Sequence, residues 1–149
     1  MNKFSFSIIW LALTVILVAL LILPIYQNCG DRYPFYLEDI ICLVIAITFT
    51  RYLFLLDYHW FGSNKTLKVI LAFSVIPILF YIVDAHYEFQ RYLDEEGVDT
   101  LLLPTGNPAV AQYVKNQFIF FWAFAMICCF AIPIKMIRSI WRDYKANAK

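Results

Sequence analysis

The stretch IIWLALTVILVALLILPIY, residues 8–26, contains no charged side chain and is long enough to cross a bilayer as an α-helix. Three further apolar runs follow at residues 37–56, 67–83 and 118–137, each close to the ~20 residues that a ~30 Å hydrocarbon layer requires. The glycines all lie between the runs, where helices end. The pattern predicts an all-α membrane protein with four transmembrane helices.

The composition agrees with this prediction, because 62% of the 149 residues are hydrophobic and 15% are charged, which leaves too little polar surface for a water-soluble domain. We expect residues 1–149 to form a single four-helix transmembrane domain. The first run follows Lys3 and is longer than the apolar region of a typical signal peptide, so we expect it to be retained as an anchor.

Basic residues indicate the orientation, because they favour flanks that stay in the cytoplasm. One side of the predicted topology has Lys3, Lys65, Lys68 and the basic tail 138–149, whereas the other side has Arg32, Arg91 and Lys115. The acidic residues fall largely on this second side. We therefore predict that both termini are cytoplasmic, and that the net charge of +1 conceals an asymmetry across the membrane.

The connection between the third and fourth runs, residues 84–117, keeps a helical period after the third run ends. We expect helix 3 to continue until Gly97, and a new helix to begin at Asn107 and Pro108, since Asn caps helices and Pro is tolerated in the first turn. This predicts an antiparallel helical hairpin that stands outside the bilayer on the exoplasmic side. Its tip would rise by roughly 20 Å at 1.5 Å per residue.

Three consecutive leucines, Leu101, Leu102 and Leu103, lie at the predicted tip of this hairpin. Contiguous apolar side chains on a solvent-facing tip often mark an interaction site, which predicts contact with a periplasmic protein. The alternative is that the three side chains fold onto the apolar face of the hairpin and fill space there.

Arg51 is the one residue inside a predicted span whose charge requires an explanation, because arginine in hydrocarbon costs at least ~2.5 kcal/mol at the bilayer centre. Its side chain can extend to the headgroups, or pair with Asp57 or a backbone carbonyl. Alternatively, Arg51 contacts a partner subunit or an ion pathway. Both interpretations remain open from the sequence.

Several titratable residues lie where helices 2 and 3 leave the predicted outer face of the membrane. Together they would form an acidic vestibule, although residues at helix ends are often simply solvated. The candidate vestibule consists of Glu38, Asp39, Asp84, His86 and Glu88.

Enzyme motifs are missing from the sequence: there is no HExxH, CxxC, GxSxG or P-loop pattern. The two histidines, His59 and His86, are predicted on opposite faces of the membrane and so would not share a metal. We therefore expect neither catalysis nor a cofactor. A disulfide between Cys29 and Cys42 would require the outer loop to fold back, and the sequence leaves it open.

The tail after the fourth run combines an apolar stripe, Ile137, Ile140, Trp141 and Tyr144, with basic residues around it. Such a segment can lie on the inner surface of a membrane and hold anionic lipid. Ordinary positive-inside anchoring explains the same charges.

These observations predict a non-catalytic accessory or assembly subunit of a larger inner-membrane protein complex. Its expected partners are membrane lipid, a larger integral membrane complex and a periplasmic protein at the hairpin tip, but no nucleic acid. An assembly energised by an ion gradient is one candidate host, by analogy alone. Short loops favour the bacterial inner membrane. The alternative is a small oligomeric transporter or channel, with the acidic vestibule concentrating cations.

Overall fold

The computed structural model describes residues 3–55 and 65–147, and these residues form four α-helices joined by short connections. The predicted all-helical class is confirmed for this part of the chain. The predicted inner loop, which contains Asp57 and His59, lies outside the described residues, and so does residue 56, the last of the predicted second span. The helices are α1 (Lys3–Cys29), α2 (Tyr36–Leu55), α3 (Lys65–Glu95) and α4 (Pro108–Asn147), with short 3-10 turns at Gly30–Arg32 and Val98–Leu101.

Three of the helices in the described ranges, α1, α3 and α4, are long and apolar enough to cross a bilayer. Their length and composition indicate a membrane protein. The shorter helix α2 has three charged residues, Glu38, Asp39 and Arg51, among its 20 residues, which makes it less apolar than the others. That α2 also crosses the membrane, and in which direction the helices insert, remain predictions.

The contacts of α4 show how neighbouring helices are oriented. Early residues of α3 lie against late residues of α4, since Lys68 contacts Ser139 and Phe89 stacks on Phe118 with 4.0 Å between ring centroids. Helices α3 and α4 are therefore antiparallel.

Helix α2 runs parallel to α4. Asp39, in the first turn of α2, contacts Gln117 near the start of α4, and Thr50 lies 4.0 Å from the sulfur of Cys128 further along both helices. Arg51, late in α2, contacts Ser7, early in α1, so these two helices are antiparallel. The four helices therefore form an up-down-up-down arrangement in which α4 has extensive contacts with both α2 and α3.

Two groups of buried apolar side chains hold this arrangement together. The middle cluster lies among α2, α3 and α4, and its buried members are Ala46, Phe49, Val75, Ile82, Ala125, Cys128, Cys129, Ile132 and Met136. The tip cluster lies where α1 ends and the α3–α4 connection begins, and its buried members are Ile25, Cys29, Tyr33, Phe35, Phe89, Leu101, Leu102, Ala111, Val114 and Phe118.

The end of α1 lies directly against the tip segment, which we define as residues 96–107. The backbone oxygen of Asn28 accepts a hydrogen bond from the N–H of Leu103 at 2.9 Å, and its side-chain oxygen accepts one from the N–H of Asn107 at 3.1 Å. The sequence did not predict this contact between α1 and the tip segment. The contact is favourable because Leu101 and Leu102 lose contact with water by packing into the tip cluster with α1.

Gly106 allows the close approach between the tip segment and α1. A Cβ atom at this position would lie 2.7 Å from the backbone oxygen of Asn28 and 3.0 Å from that of Leu103. Both neighbours are backbone atoms, which cannot rotate away as the end of a flexible side chain does. Glycine at this position therefore permits the hydrogen bonds that Asn28 makes with the tip segment.

We expect Gly106→Ala to lower the free energy of unfolding by about 1–3 kcal/mol, since an added methyl group in a close-packed site forces the backbone to shift. Thermal unfolding of the purified chain in mild detergent measures this change. The neighbouring substitution Thr105→Ala, at an exposed position, is the control and should have an effect of at most about 0.5 kcal/mol. Equal stability of the two variants would contradict the close packing of α1 and the tip segment.

Candidate functional site

The most enclosed charged group of the predicted vestibule is the carboxylate of Asp39, which is fully buried between α2 and α4. The side-chain nitrogen of Gln117 donates to one carboxylate oxygen at 3.0 Å. The hydroxyl of Tyr33 donates to the other oxygen through a longer, weaker contact of 3.4 Å. We call Tyr33, Asp39 and Gln117 the buried polar triad.

Local structure explains why a carboxylate is tolerated at this position. Asp39 lies in the first turn of α2, where the helix dipole favours negative charge, and its own N–H donates to the carbonyl of Phe35 at 3.0 Å. Tyr33 precedes the helix, and its burial together with the charge of Asp39 raises the pKa of its phenol. The phenol therefore stays protonated and remains a donor to Asp39.

The five predicted vestibule residues differ in their environments. Asp84 and Glu88 are exposed on α3, whereas Asp39 is enclosed in the triad. His86 stacks on the indole of Trp122, with 3.8 Å between ring centroids. Within residues 3–55 and 65–147, no group of three His, Cys, Asp or Glu side chains is arranged to hold a metal ion.

Two members of the predicted vestibule have buried polar atoms that make no hydrogen bond to the residues that the structure describes. These atoms are Oε2 of Glu38 and Nδ1 of His86, and Oε1 of Gln117 in the triad is in the same state. Such groups are uncommon in folded proteins, because each loses its hydrogen bonds to water without replacement.

Arg51 links α2 to the beginning of α1. Its guanidinium donates to the hydroxyl of Ser7 at 2.7 Å and lies 5.8 Å from the centre of the Phe6 ring, and the whole residue is only 7% exposed. Asp57, the acidic neighbour considered from the sequence, lies outside the described residues. Contact between Arg51 and a partner subunit remains a prediction, and the contacts within the chain already hold its charged group in place.

The leucine triplet is largely enclosed by its own chain. Leu101 is fully buried and Leu102 nearly so, both in the tip cluster, and Leu103 is partly exposed. Arg32 donates to the carbonyl of Leu102 at 3.1 Å, which adds a polar contact between the two connections. These contacts favour the space-filling interpretation. A partner at this end of the bundle would touch Leu103 and its surroundings rather than all three side chains.

Sequence reasoning missed a partly buried ion pair at the opposite end of the bundle. Lys68 is 2% exposed, and its ammonium group donates to the carboxylate of Asp143 at 2.7 Å and to the hydroxyl of Ser139 at 2.9 Å. The helical period contained a signal for this pair. Ser139 and Asp143 continue the buried stripe of α4 that runs through Ile132 and Met136, so they face the neighbouring helices.

Sequence reasoning also missed two members of the triad, Tyr33 and Gln117. Gln117 lies three residues after Val114 and next to Phe118, both fully buried, so its position on the inward stripe of α4 could have been read from the sequence. Tyr33 lies in the connection between α1 and α2, where helical periodicity does not indicate which side chains are buried. Its burial depends on how the connection folds and has no signal in the sequence.

The cysteines of the chain are all free and buried, so the structure contains no bridge between Cys29 and Cys42. No protein-family model, curated protein or solved structure matches this chain. The chemistry of the site must therefore be derived from its own geometry. Asp39 and Lys68 are enclosed and hydrogen-bonded by their own chain, an arrangement that positions helices.

We expect Asp39→Ala to lower the free energy of unfolding by roughly 2–4 kcal/mol, because it leaves the donors of Gln117 and Tyr33 buried without an acceptor. Asp39→Asn retains an acceptor and should cost about 1 kcal/mol. Thermal unfolding in detergent compares the two, and Asp84→Ala, at an exposed position, is the control. A stable Asp39→Ala variant would show that the carboxylate does not support the fold.

The contact between Arg51 and Ser7 can be tested with a double-mutant cycle of Ser7→Ala and Arg51→Ala. A hydrogen bond to a charged donor predicts a coupling of about 1.5–3 kcal/mol in unfolding free energy. Arg51→Lys, which keeps the charge but changes the donor geometry, separates charge from shape. A coupling near zero would contradict the observed link between α1 and α2.

Proposed function

We propose that this chain is a small, non-catalytic accessory subunit of a larger protein complex in a bacterial inner membrane. In this proposal all four helices cross the bilayer, both termini are cytoplasmic, and the tip segment faces the exoplasmic side. The proposal is supported chiefly by the apolar surface of α1, which continues to a level where α3 and α4 are predicted to have left the bilayer.

The hydrogen bond between Asn28 and Asn107 compares the levels of two helices. Asn28 lies 2 residues after the predicted first span, which ends at residue 26, whereas Asn107 lies 11 residues before the predicted fourth span, which begins at residue 118. The difference of roughly 9 residues corresponds to about 14 Å along a helix. The predicted apolar spans of α1 and α4 are therefore out of register at this end.

Apolar side chains of α1 are exposed at a level where α4 has not yet entered its predicted span. Leu20 is 63% exposed and Leu23 is 55% exposed, and they flank Leu21, whose carbonyl accepts a hydrogen bond from Tyr113 outside the predicted fourth span. Water at this level would contact a row of leucines, which is unfavourable. A neighbouring membrane protein that covers the end of α1 would remove this surface from water.

The exposed surface extends along most of α1, which makes this helix the best candidate for contact with a partner. Large apolar residues are exposed on more than one face, so lipid and a partner can each take one side. The exposed residues are Ile8, Ile9, Leu11, Leu13, Val15, Ile16, Leu17, Leu20, Leu23 and Tyr26.

Cysteine labelling in native membranes tests whether a protein covers the end of α1. We expect Leu23→Cys to resist a membrane-impermeant maleimide in native membranes and to react after the chain is purified into nanodiscs. Asp94→Cys, on the exposed side of α3, should react in both preparations, whereas Phe73→Cys, within a predicted span, should resist in both. The native cysteines are buried and should contribute little background.

Native mass measurement after mild solubilisation provides the second part of the test. A stoichiometric complex with other proteins supports the accessory role, and Leu20→Trp should weaken it because a bulky side chain is tolerated by lipid but not by a close interface. Protection of Leu23→Cys in both preparations would show that lipid covers α1. A homo-oligomer of this chain alone would contradict the proposal and favour a transporter or channel.

A further inference from the structure

A cavity of about 590 Å³ opens between the last turn of α2 and the C-terminal half of α4. The described residues that line it are divided by polarity. The apolar part is formed by Leu53, Ala131 and Ile134, and the basic part by Lys135, Arg138 and Arg142.

We propose that this cavity binds the phosphate-bearing headgroup of an anionic phospholipid, with an acyl chain against the apolar part. The inference rests on the proposed membrane location of the chain but not on its role as an accessory subunit.

The order of residues along α4 fits a lipid that lies roughly parallel to the helix. The apolar residues Ala131 and Ile134 come first, and the basic residues Arg138 and Arg142 follow about 10 Å further along the axis, at 1.5 Å per residue. They share one face, because their spacing follows the helical repeat. A phospholipid has its polar and apolar groups in the same order, with the acyl chains inside the bilayer and the phosphate at the membrane surface.

Aromatic residues indicate the depth of the cavity in the membrane. Trp141 and Tyr144 are both exposed on an adjacent face of α4, at the level of Arg138 and Arg142. Such residues are enriched where hydrocarbon meets headgroups. The basic part of the cavity would therefore lie at the depth of the lipid phosphates.

Charge around the cavity favours an anion. Arg138 has no hydrogen bond or ion pair to other residues within the described ranges, and Lys135 uses one donor on the carbonyl of Leu53, which leaves two. Asp143, an acidic residue on the same helix, is paired with Lys68 and does not line the cavity. Arg138 and Lys135 therefore retain N–H donors that no other described residue engages.

Ser139 supplies a further polar group at the wall of the cavity. Its hydroxyl oxygen accepts a hydrogen bond from the buried ammonium group of Lys68, so its own hydrogen is directed to another acceptor. A phosphate oxygen in the cavity would be such an acceptor. Ser139 would then donate to the ligand, while Lys68 holds its oxygen without lining the cavity itself.

Native mass spectrometry of the full chain in detergent, with lipids added stepwise, tests the proposal. The probes are phosphatidylglycerol, phosphatidylcholine with the same acyl chains, and inorganic phosphate. We expect phosphatidylglycerol to bind more tightly than phosphatidylcholine. Arg138→Gln should weaken phosphatidylglycerol binding about five-fold, as removal of one basic residue near an anionic headgroup predicts, and should leave phosphatidylcholine unchanged.

Lys145→Gln is the matched control, because it removes one positive charge from the same helix at a position that does not line the cavity. The ammonium group of Lys145 lies instead over the ring of Trp141, 5.0 Å from its centre. Its effect on phosphatidylglycerol binding should be less than two-fold. Arg138→Lys, which keeps the charge, should bind more tightly than Arg138→Gln.

Three results would overturn the proposal. An equal loss for Lys145→Gln and Arg138→Gln would indicate nonspecific attraction to the basic tail. Equal binding of the two lipids would show that the headgroup is not recognised. Displacement of phosphatidylglycerol by low millimolar inorganic phosphate would assign the cavity to a soluble anion. The test uses the purified chain, so its result is independent of whether a partner complex is found.

Discussion

The contact between Asn28 and the tip segment determines the register of α1 against the rest of the bundle. Asn28 accepts hydrogen bonds from the backbone N–H groups of both Leu103 and Asn107, and Gly106 leaves the space that this approach requires. With its end held at this level, α1 places the exposed side chains Leu20 and Leu23 opposite the part of α4 that precedes its predicted span. The surface that we propose for a partner follows from this register.

Buried polar side chains complement this contact by holding the remaining helices in register. The helices contain no glycine at which two backbones could approach closely, so their large apolar side chains alone would allow several alignments. Asp39 with Gln117 joins α2 to α4, and Lys68 with Asp143 joins α3 to α4 at the other end. Because an unpaired polar group in an apolar interior is costly, these pairs favour one alignment over its neighbours.

The predicted and observed site residues differ for physical reasons that can be named. Arg51 was singled out because charge within an apolar run is expensive, and Asp39 because it lies at a helix end with other acidic residues. Both are enclosed and hydrogen-bonded. In the sequence, Lys68 was considered only as one of the basic residues that predict how the chain is oriented across the membrane. Its flank position does not reveal that Asp143, 75 residues later in the chain, lies within hydrogen-bonding distance. Such a pair depends on how two helices meet, which the local pattern around either residue does not contain.

The sequence by itself determined that the chain is helical and apolar, because the length and composition of a run decide whether a helix can satisfy its backbone and its environment. The tertiary structure decided which side chains meet. Only the folded chain encloses Leu101 and Leu102, brings Tyr33 to Asp39 and forms the cavity beside Arg138. These features depend on the relative register of helices, which arises from distant contacts and not from the period of any single run.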